Sequence, residues 1–259
     1  MLLAIDAGNT NIVFAVMDGE RIAHKWRIST ASARTADEYM VWISQLMALA
    51  KVKAAAIDAA IIATVVPSTL FHLRQLCQSY FNVTPMVVGD SGVVLGLGVR
   101  VPNPAEVGAD RLVNAVGGFA RHGGPLILID FGTATTFDVV DGEGDYHGGV
   151  IAPGINLSMD ALHRAAAKLP KVAVEVPKSG HVIGTTTIEA MQSGVVWGYI
   201  GLIEGLVDRI TAEWGARLKV VATGGLAPVF DAQSQVIDVV DPDLTLHGLA
   251  LVHARNKGP

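Results

Sequence analysis

The sequence predicts an α/β protein built from two similar halves, each opening on β-hairpins and continuing with alternating helices and strands. Three observations carry that expectation. A motif recurs, as Leu3-Ala4-Ile5-Asp6-Ala7-Gly8-Asn9-Thr10 and again as Ile127-Leu128-Ile129-Asp130-Phe131-Gly132-Thr133-Ala134. Short apolar runs alternate with longer helical patterns, as in a mostly parallel sheet with helices on both faces. The 259 residues are 51% hydrophobic and only 17% charged, enough apolar surface for one large domain or two medium ones.

The two copies align almost without adjustment. The offset is 130 − 6 = 124 at the first Asp and 141 − 18 = 123 at the pairs Asp18-Gly19 and Asp141-Gly142, so one single-residue gap separates them. In each, an apolar run (Leu2 to Ile5; Leu126 to Ile129) reads as a buried strand closed by the Asp. The Gly two residues later is expected to turn the chain sharply and bring backbone close to a ligand. A second apolar run returns to the Asp-Gly pair, a hairpin signal, and a third strand follows. Beyond these hairpins the first half reads as helix 36–50, strand 59–64, helix 68–80 and strand 86–88. The second half reads as helix 154–168, a long helix 187–214 and a strand 218–222. The boundary is expected between residues 115 and 124, where Gly117-Gly118 and Gly123-Gly124 flank a short helical piece, giving domains 1–115 and 116–259.

Composition narrows the partners. A net charge of −5 argues against nucleic acid, because phosphate backbones select basic surfaces. It leaves ATP open, since backbone N–H groups and a metal ion can hold its phosphates. The single cysteine, Cys77, lies in a helical stretch and reads as a small buried hydrophobe; with no disulfide within the chain, a reducing cytoplasm fits. Met1 to Ile5 is too short an apolar run for a signal peptide, and no uncharged stretch approaches the roughly 20 residues of a membrane helix, so no membrane partner is expected. The eight histidines lack metal-ligand spacing, and His147 and His247 read as packed or exposed side chains.

Chemistry gathers at the duplicated turns. Asp6-Ala7-Gly8-Asn9-Thr10-Asn11 offers small and hydroxyl residues whose N–H groups suit phosphate oxygens, and the Asp6 carboxylate suits a hydrated Mg²⁺, which needs few protein ligands. One such turn is also what an ordinary Asp-Gly corner looks like. The second copy, Asp130-Phe131-Gly132-Thr133-Ala134-Thr135-Thr136, tips the reading towards function, because two such loops facing across a cleft would surround one polyphosphate. Val220-Val221-Ala222-Thr223-Gly224-Gly225 adds a buried strand ending in a glycine turn against which a flat nucleoside can lie.

These three pieces, in this order, resemble the superfamily of acetate and sugar kinases, heat-shock chaperones and actin. That resemblance implies two duplicated ribonuclease-H-like (actin-like ATPase) domains with a central cleft. No Gly-x-x-x-x-Gly-Lys-Ser/Thr run is present, and Asp130-Phe131-Gly132 lacks the partners it would have in a protein kinase. Asn103-Pro104-Ala105-Glu106-Val107-Gly108-Ala109-Asp110-Arg111 narrows the match, because it resembles the Glu-Val-Gly-Ala-Asp-Arg segment of type III pantothenate kinases. Further matches fall at residues 6–10, 130–136, Gly148 to Gly154, Thr187 to Gly194 and Leu246 to Leu249, spanning the chain in order.

The resemblance implies roles for these positions. Asp110 would be the general base for the pantothenate hydroxyl. Gly108, Ala109, Asp110, Arg111 and Thr187 would bind pantothenate, with Arg111 suited to an anion. Asp6, Ala7, Gly8, Asn9, Thr10, Asn11, Ile12, Val13 and Thr133 would contact ATP. Asp130 would hold the monovalent cation, K⁺ or ammonium, and Asp6 would serve Mg²⁺, directly or through water. The family is dimeric, and Gly194, Gly198, Gly201 and Gly205 on the long helix would allow close packing in a homodimer. Taken alone, Asp110-Arg111 reads as a helix-start ion pair. Two departures touch the substrate pocket: Val101 stands where the family often has Tyr, and Thr185-Thr186 where it often has Lys-Asn or Lys-Asp. The rival expectations are a superfamily kinase or phosphatase for another small metabolite or polyphosphate, and a non-catalytic transcriptional accessory factor.

Overall fold

The computed structural model describes residues 1–258. The chain runs β1 (Leu2–Ala7), β2 (Asn11–Asp18), β3 (Arg21–Ser29), α1 (Ala36–Leu49), β4 (Ala59–Thr64), α2 (Pro67–Phe81), β5 (Met86–Val87) and α3 (Ala109–His122). It continues with β6 (Leu126–Phe131), β7 (Ala134–Val140), β8 (Tyr146–Pro153), α4 (Ile155–Ala165), α5 (Thr187–Trp214), β9 (Lys219–Gly224), α6 (Ala227–Asp231), β10 (Val239–Val240) and α7 (Leu244–Asn256).

Two five-stranded sheets form, ordered β3-β2-β1-β4-β5 and β10-β9-β6-β7-β8. Reversing the second gives β8-β7-β6-β9-β10, so every strand of one sheet has a counterpart in the other. β1 pairs antiparallel with β2 and parallel with β4, as β6 does with β7 and β9. The sequence duplication is therefore a duplication of topology. The register also locates the gap. Asp6 faces Val13 while Asp130 faces Thr136, so the second β-turn is one residue shorter.

Strand alternation explains why the central strands read as unbroken apolar runs. In β1, Leu3, Ile5 and Ala7 pack with Tyr39 and Ile43 of α1 and Leu73, Leu76 and Cys77 of α2. Leu2 and Ala4 pack on the other side with Val113 and Val116 of α3 and Leu246 and Leu249 of α7. Asp6 shares the parity of Leu2 and Ala4, which puts it on the α3 side of the strand. In the second sheet Ile127, Ile129 and Phe131 pack against Val196, Ile200, Ile203 and Val207, a helical stripe of α5.

Two compact units result. One holds Met1–His122, Gly144–Tyr146 and the chain from Asp243 onward; the other holds Gly123–Glu143 and His147–Pro242. This differs from a division at 115/116, which falls inside α3 where residues 112–118 are all buried. Nor does the C-terminus stay with the second half. Helix α7 packs on α3 so closely that a Cβ on Gly117 would lie 2.7 Å from the Leu244 carbonyl oxygen, and one on Gly248 would lie 2.2 Å from that of Val113. At that contact Thr245 Oγ1 donates to the buried Asn114 Oδ1 at 2.7 Å. Among the described residues no helix is long and apolar enough to cross a membrane.

Candidate active site

The first duplicated turn is tied down on three sides. Its own closure is Gly8 N–H to Asn11 O at 3.0 Å. From just past β3, Thr30 N–H donates to Thr10 O at 2.9 Å and Thr30 Oγ1 to Gly8 O at 2.6 Å. From the end of β4, Val65 N–H and Thr64 Oγ1 both donate to Ala7 O, at 3.2 and 3.3 Å. Ala7 and Ile12 are fully buried core residues, whereas Asn9, Thr10 and Asn11 are exposed and Asp6 and Val13 half-buried.

Both duplicated turns close sharply at their glycine, through Gly8 N–H to Asn11 O and Gly132 N–H to Ala134 O. Neither Gly8 nor Gly132 has a positive φ. In both, a Cβ would sit 3.4 Å from the carbonyl that closes the turn, Asn11 O or Ala134 O. That distance is an ordinary contact, so neither a left-handed backbone nor a steric clash requires glycine at these two positions.

Asp110 lies in the first turn of α3. Its Oδ1 accepts from the Arg111 N–H at 2.8 Å. The carboxylate folds back over Gly108, where a Cβ would meet Oδ1 at 2.6 Å and Val65 Cγ1 at 3.5 Å. Burial pushes the Asp110 carboxyl above the ordinary range, partly offset by the Arg111 N–H and guanidinium. Val65 follows β4 directly and is bonded to Ala7 at the end of β1. Asp110 and the first turn thus gather at the carboxyl ends of two adjacent parallel strands, where open α/β sheets bind ligands. Beside Asp110, the half-buried Arg111 holds its guanidinium carbon 5.8 Å from the centre of the Tyr146 ring.

In the second unit, Asp130 is the penultimate residue of β6, half-buried. The turn after it closes through Gly132 N–H to Ala134 O at 3.1 Å. Gly154 braces it, with its N–H donating to Thr133 O at 3.0 Å. A Cβ on Gly154 would lie 2.3 Å from Thr133 O and 2.6 Å from Gly132 O, so only glycine fits. Tyr199 of α5 donates its hydroxyl to Thr135 Oγ1 and also reaches Pro153 O at 3.2 Å. Gly224 has φ +92° and rests on the same loop, its absent Cβ 2.6 Å from Phe131 O and 2.9 Å from Asp130 Oδ1. Gly225 beside it faces open space. The bare backbone anticipated for Gly224-Gly225 therefore has two causes, packing at Gly224 and openness at Gly225.

Thr187 is the exposed first residue of α5, next to Thr186, whose side chain caps the helix through Glu189 N–H at 3.2 Å. The sequence-predicted residues are thus divided. Asp6 to Val13 and Gly108 to Arg111 stand in the first unit, and Asp130, Thr133 and Thr187 in the second. Sequence reasoning missed Val65, Tyr146, Gly154 as a brace and Tyr199. Tyr199 is camouflaged by the core spacing of α5, and Val65 by lying just past a strand. His147 is exposed, its Nε2 2.7 Å from Asp141 Oδ2 and its ring edge-on to Trp214. Cys77 is buried with its thiol pushed up to about 12, far from a reactive thiolate.

A family model described as type III pantothenate kinase matches residues 2–209. The chain belongs to the type III pantothenate kinase family. A curated relative of that name from Paramagnetospirillum magneticum is 59% identical over 259 residues, covering 100% of this chain and 99% of its own. Among solved structures, a protein described as a Baf family transcriptional activator from Campylobacter jejuni superposes with a TM-score of 0.61 at 18% identity, over 98% of each chain. A ROK hexokinase from Thermus thermophilus gives 0.51 at 16%, over 99% of each. At such identities these two speak to fold alone, and with the mirrored sheet orders they establish the duplicated ribonuclease-H-like, actin-like ATPase architecture of this kinase.

Proposed function

We propose that Asp110 is the general base with which this kinase carries out its family's reaction, the ATP-dependent phosphorylation of pantothenate to 4′-phosphopantothenate, the first step of coenzyme A synthesis. The observation that carries the assignment is the half-buried Asp110 carboxylate folded over Gly108, with its affinity for a proton raised, at the strand ends shared with the first turn. A carboxylate made more basic accepts a hydroxyl proton more readily as the new O–P bond forms. Phosphoryl transfer otherwise needs positioning and charge neutralisation rather than covalent help from the protein.

The remaining roles follow from chemistry and family likeness. Gly108, Ala109 and Thr187 line the pantothenate pocket, and Arg111 pairs with the substrate carboxylate through its planar fork. The turns at Asp6 to Val13 and at Thr133 hold ATP. Asp6 and Asp130 are half-buried carboxylates at the ends of the central strands, hard oxygen donors that suit Mg²⁺ and a monovalent cation, K⁺ or ammonium, respectively. When bound, these cations supply positive charge against the ATP phosphates. The protein works in the cytoplasm as a homodimer built on α5. In support of the dimer, Gly194, Gly198 and Gly201 meet nothing within 4 Å of where a Cβ would be, and Ile188 in the first turn of that helix and Ile183 in the loop before it stand exposed.

The test is a coupled ADP-release assay with pantothenate, run with and without K⁺. The expected result is K⁺-dependent turnover that Asp110→Asn abolishes. No turnover of pantothenate, with turnover of another alcohol, would replace the substrate. No turnover of any substrate, with tight binding to a regulatory partner, would replace the activity.

A further inference from the structure

We infer that Tyr146 is a positioning residue for substrate recognition: its ring face holds the Arg111 guanidinium in the orientation in which it receives the substrate carboxylate. The inference rests on the reading of Arg111 given above and adds to it the group that aims it.

Tyr146 stands at an odd place for a buried aromatic. It follows the β7–β8 hairpin tip, where chains are ordinarily polar and exposed. Yet it is 1% exposed, and among the described residues it joins none of the hydrophobic clusters that form the cores. The strands on either side belong to the second unit, while Gly144–Tyr146 belong to the first. Those residues are held there by a dense set of bonds. Tyr146 N–H donates to Gly98 O at 2.8 Å, and Arg100 N–H donates to Tyr146 O at 2.7 Å, forming a parallel bridge at Val99. The Asp145 carboxylate accepts from Gly98 N–H at 2.6 Å and pairs with Arg100 at 2.6 Å. Two glycines make room. A Cβ on Gly98 would strike the Asp145 carboxylate at 2.6 Å, and one on Gly144 would strike the Phe119 ring of α3 at 2.6 Å. So much local fixing around one side chain fits a ring that must stay in one place.

What that ring meets is Arg111, with the guanidinium carbon 5.8 Å from its centroid, inside the range of a cation–π contact. Arg111 follows Asp110 in the chain. A guanidinium recognises a carboxylate through two parallel N–H···O bonds, so its plane must be aimed as well as its charge placed. The long Arg side chain has many rotamers, and an aromatic face beneath it removes most of them before the substrate arrives. Loss of the ring should then weaken pantothenate binding in the ground state and transition state alike, raising KM for pantothenate while leaving kcat and the KM for ATP near their original values.

The experiment compares Tyr146→Phe, Tyr146→Leu, Arg111→Gln and the double variant Tyr146→Leu/Arg111→Gln in the full-length kinase. Both KM values, kcat and the melting temperature are measured for each. Tyr146→Phe keeps the ring and should behave like wild type. Tyr146→Leu should raise the pantothenate KM by about 3- to 10-fold, the loss of one partly buried cation–π contact. The double variant should be no worse than Arg111→Gln alone. An unchanged pantothenate KM in Arg111→Gln would overturn the assignment of Arg111 itself. A raised KM in Arg111→Gln with a wild-type KM in Tyr146→Leu would overturn the role of Tyr146 and leave Arg111 standing. If Tyr146→Leu melts early or raises both KM values, pentafluorophenylalanine placed at position 146 decides. It keeps the ring's shape and reverses its quadrupole, so the pantothenate KM should exceed that of Tyr146→Phe, and equality would sink the proposal.

Discussion

Gly154→Ala is a one-carbon change whose consequence can be worked from geometry. The added Cβ would lie 2.3 Å from Thr133 O and 2.6 Å from Gly132 O, where ordinary contact begins at 3.4 Å. The second turn must therefore retreat by about 1 Å, or the strand end carrying residue 154 must do so. Either movement stretches the 3.0 Å bond from Gly154 N–H to Thr133 O. Overpacking of this kind costs about 1–3 kcal/mol, and the weakened bond adds on the order of 1 kcal/mol. For a chain of this size that lowers the melting temperature by roughly 3–10 °C. Function should suffer more, since a 1 Å displacement of a positioning group can cost about 100-fold in rate. The assay is steady-state kinetics with each substrate varied in turn, alongside thermal unfolding. The defect should fall on kcat and the ATP KM, with the pantothenate KM least affected. Gly142→Ala is the control, because a Cβ there meets nothing within 4 Å and the φ is not positive. Wild-type kinetics and melting in Gly154→Ala would refute the claim that this glycine braces the phosphate turn.

Three further perturbations have expected outcomes. Asp110→Asn should lower kcat by about 10²- to 10⁴-fold, as loss of a positioned base does. Because burial raises the Asp110 carboxyl, the folded chain holds that proton more tightly than the unfolded chain, so the ionised form costs stability at neutral pH. The variant should then melt above wild type at pH 7, with the gap closing as pH falls through the raised value; a variant that melts lower at pH 7 would contradict the burial argument. Turnover should be nearly absent in sodium buffer and recover with K⁺ at matched ionic strength, and equal rates would remove the cation from Asp130. Gly198→Leu should fold normally, since the site is open within the chain, but should shift mass by light scattering from dimer to monomer; an unshifted dimer would place the subunit contact elsewhere.

The fold was legible where local chemistry repeats. Asp-x-Gly and Asp-Gly punctuation, apolar strands and the long α5 stripe are short-range signals, and all fell where expected. Helix α7 was not legible as part of the first unit, because nothing in Leu244–Asn256 tells which half it packs against. That information sits in two glycines, Gly117 and Gly248, whose backbone-to-backbone contact joins positions far apart in sequence. Asp110 was legible only through family likeness. In isolation an Asp-Arg pair at a helix start is unremarkable, and what sets it apart is burial over Gly108 beside Val65, a long-range fact. Tyr146 gave no signal because its partner on the ring face, Arg111, lies on another element entirely.

The two phosphate turns share more than their motif, and the shared part explains how they differ. Thr30 N–H to Thr10 O at 2.9 Å and Gly154 N–H to Thr133 O at 3.0 Å are the same bond in the two copies. The offset is 133 − 10 = 123 past the gap, as in the sequence alignment, and 154 − 30 = 124 at the brace, so the second copy carries one extra residue between Asp141 and Gly154. In each, the end of the third strand reaches across to fasten the turn between the first two. The first turn, one residue longer, stands far enough off to admit a side chain, and Thr30 uses its hydroxyl to fasten Gly8 O as well. The shorter second turn draws its carbonyls to within contact of the brace itself, which leaves room for glycine only. Its side-chain anchoring comes instead from Tyr199 on α5, acting through Thr135. The shorter second turn thus goes with three differences between the copies: glycine in place of threonine at the brace, the close backbone approach, and a helix residue as the second fastening.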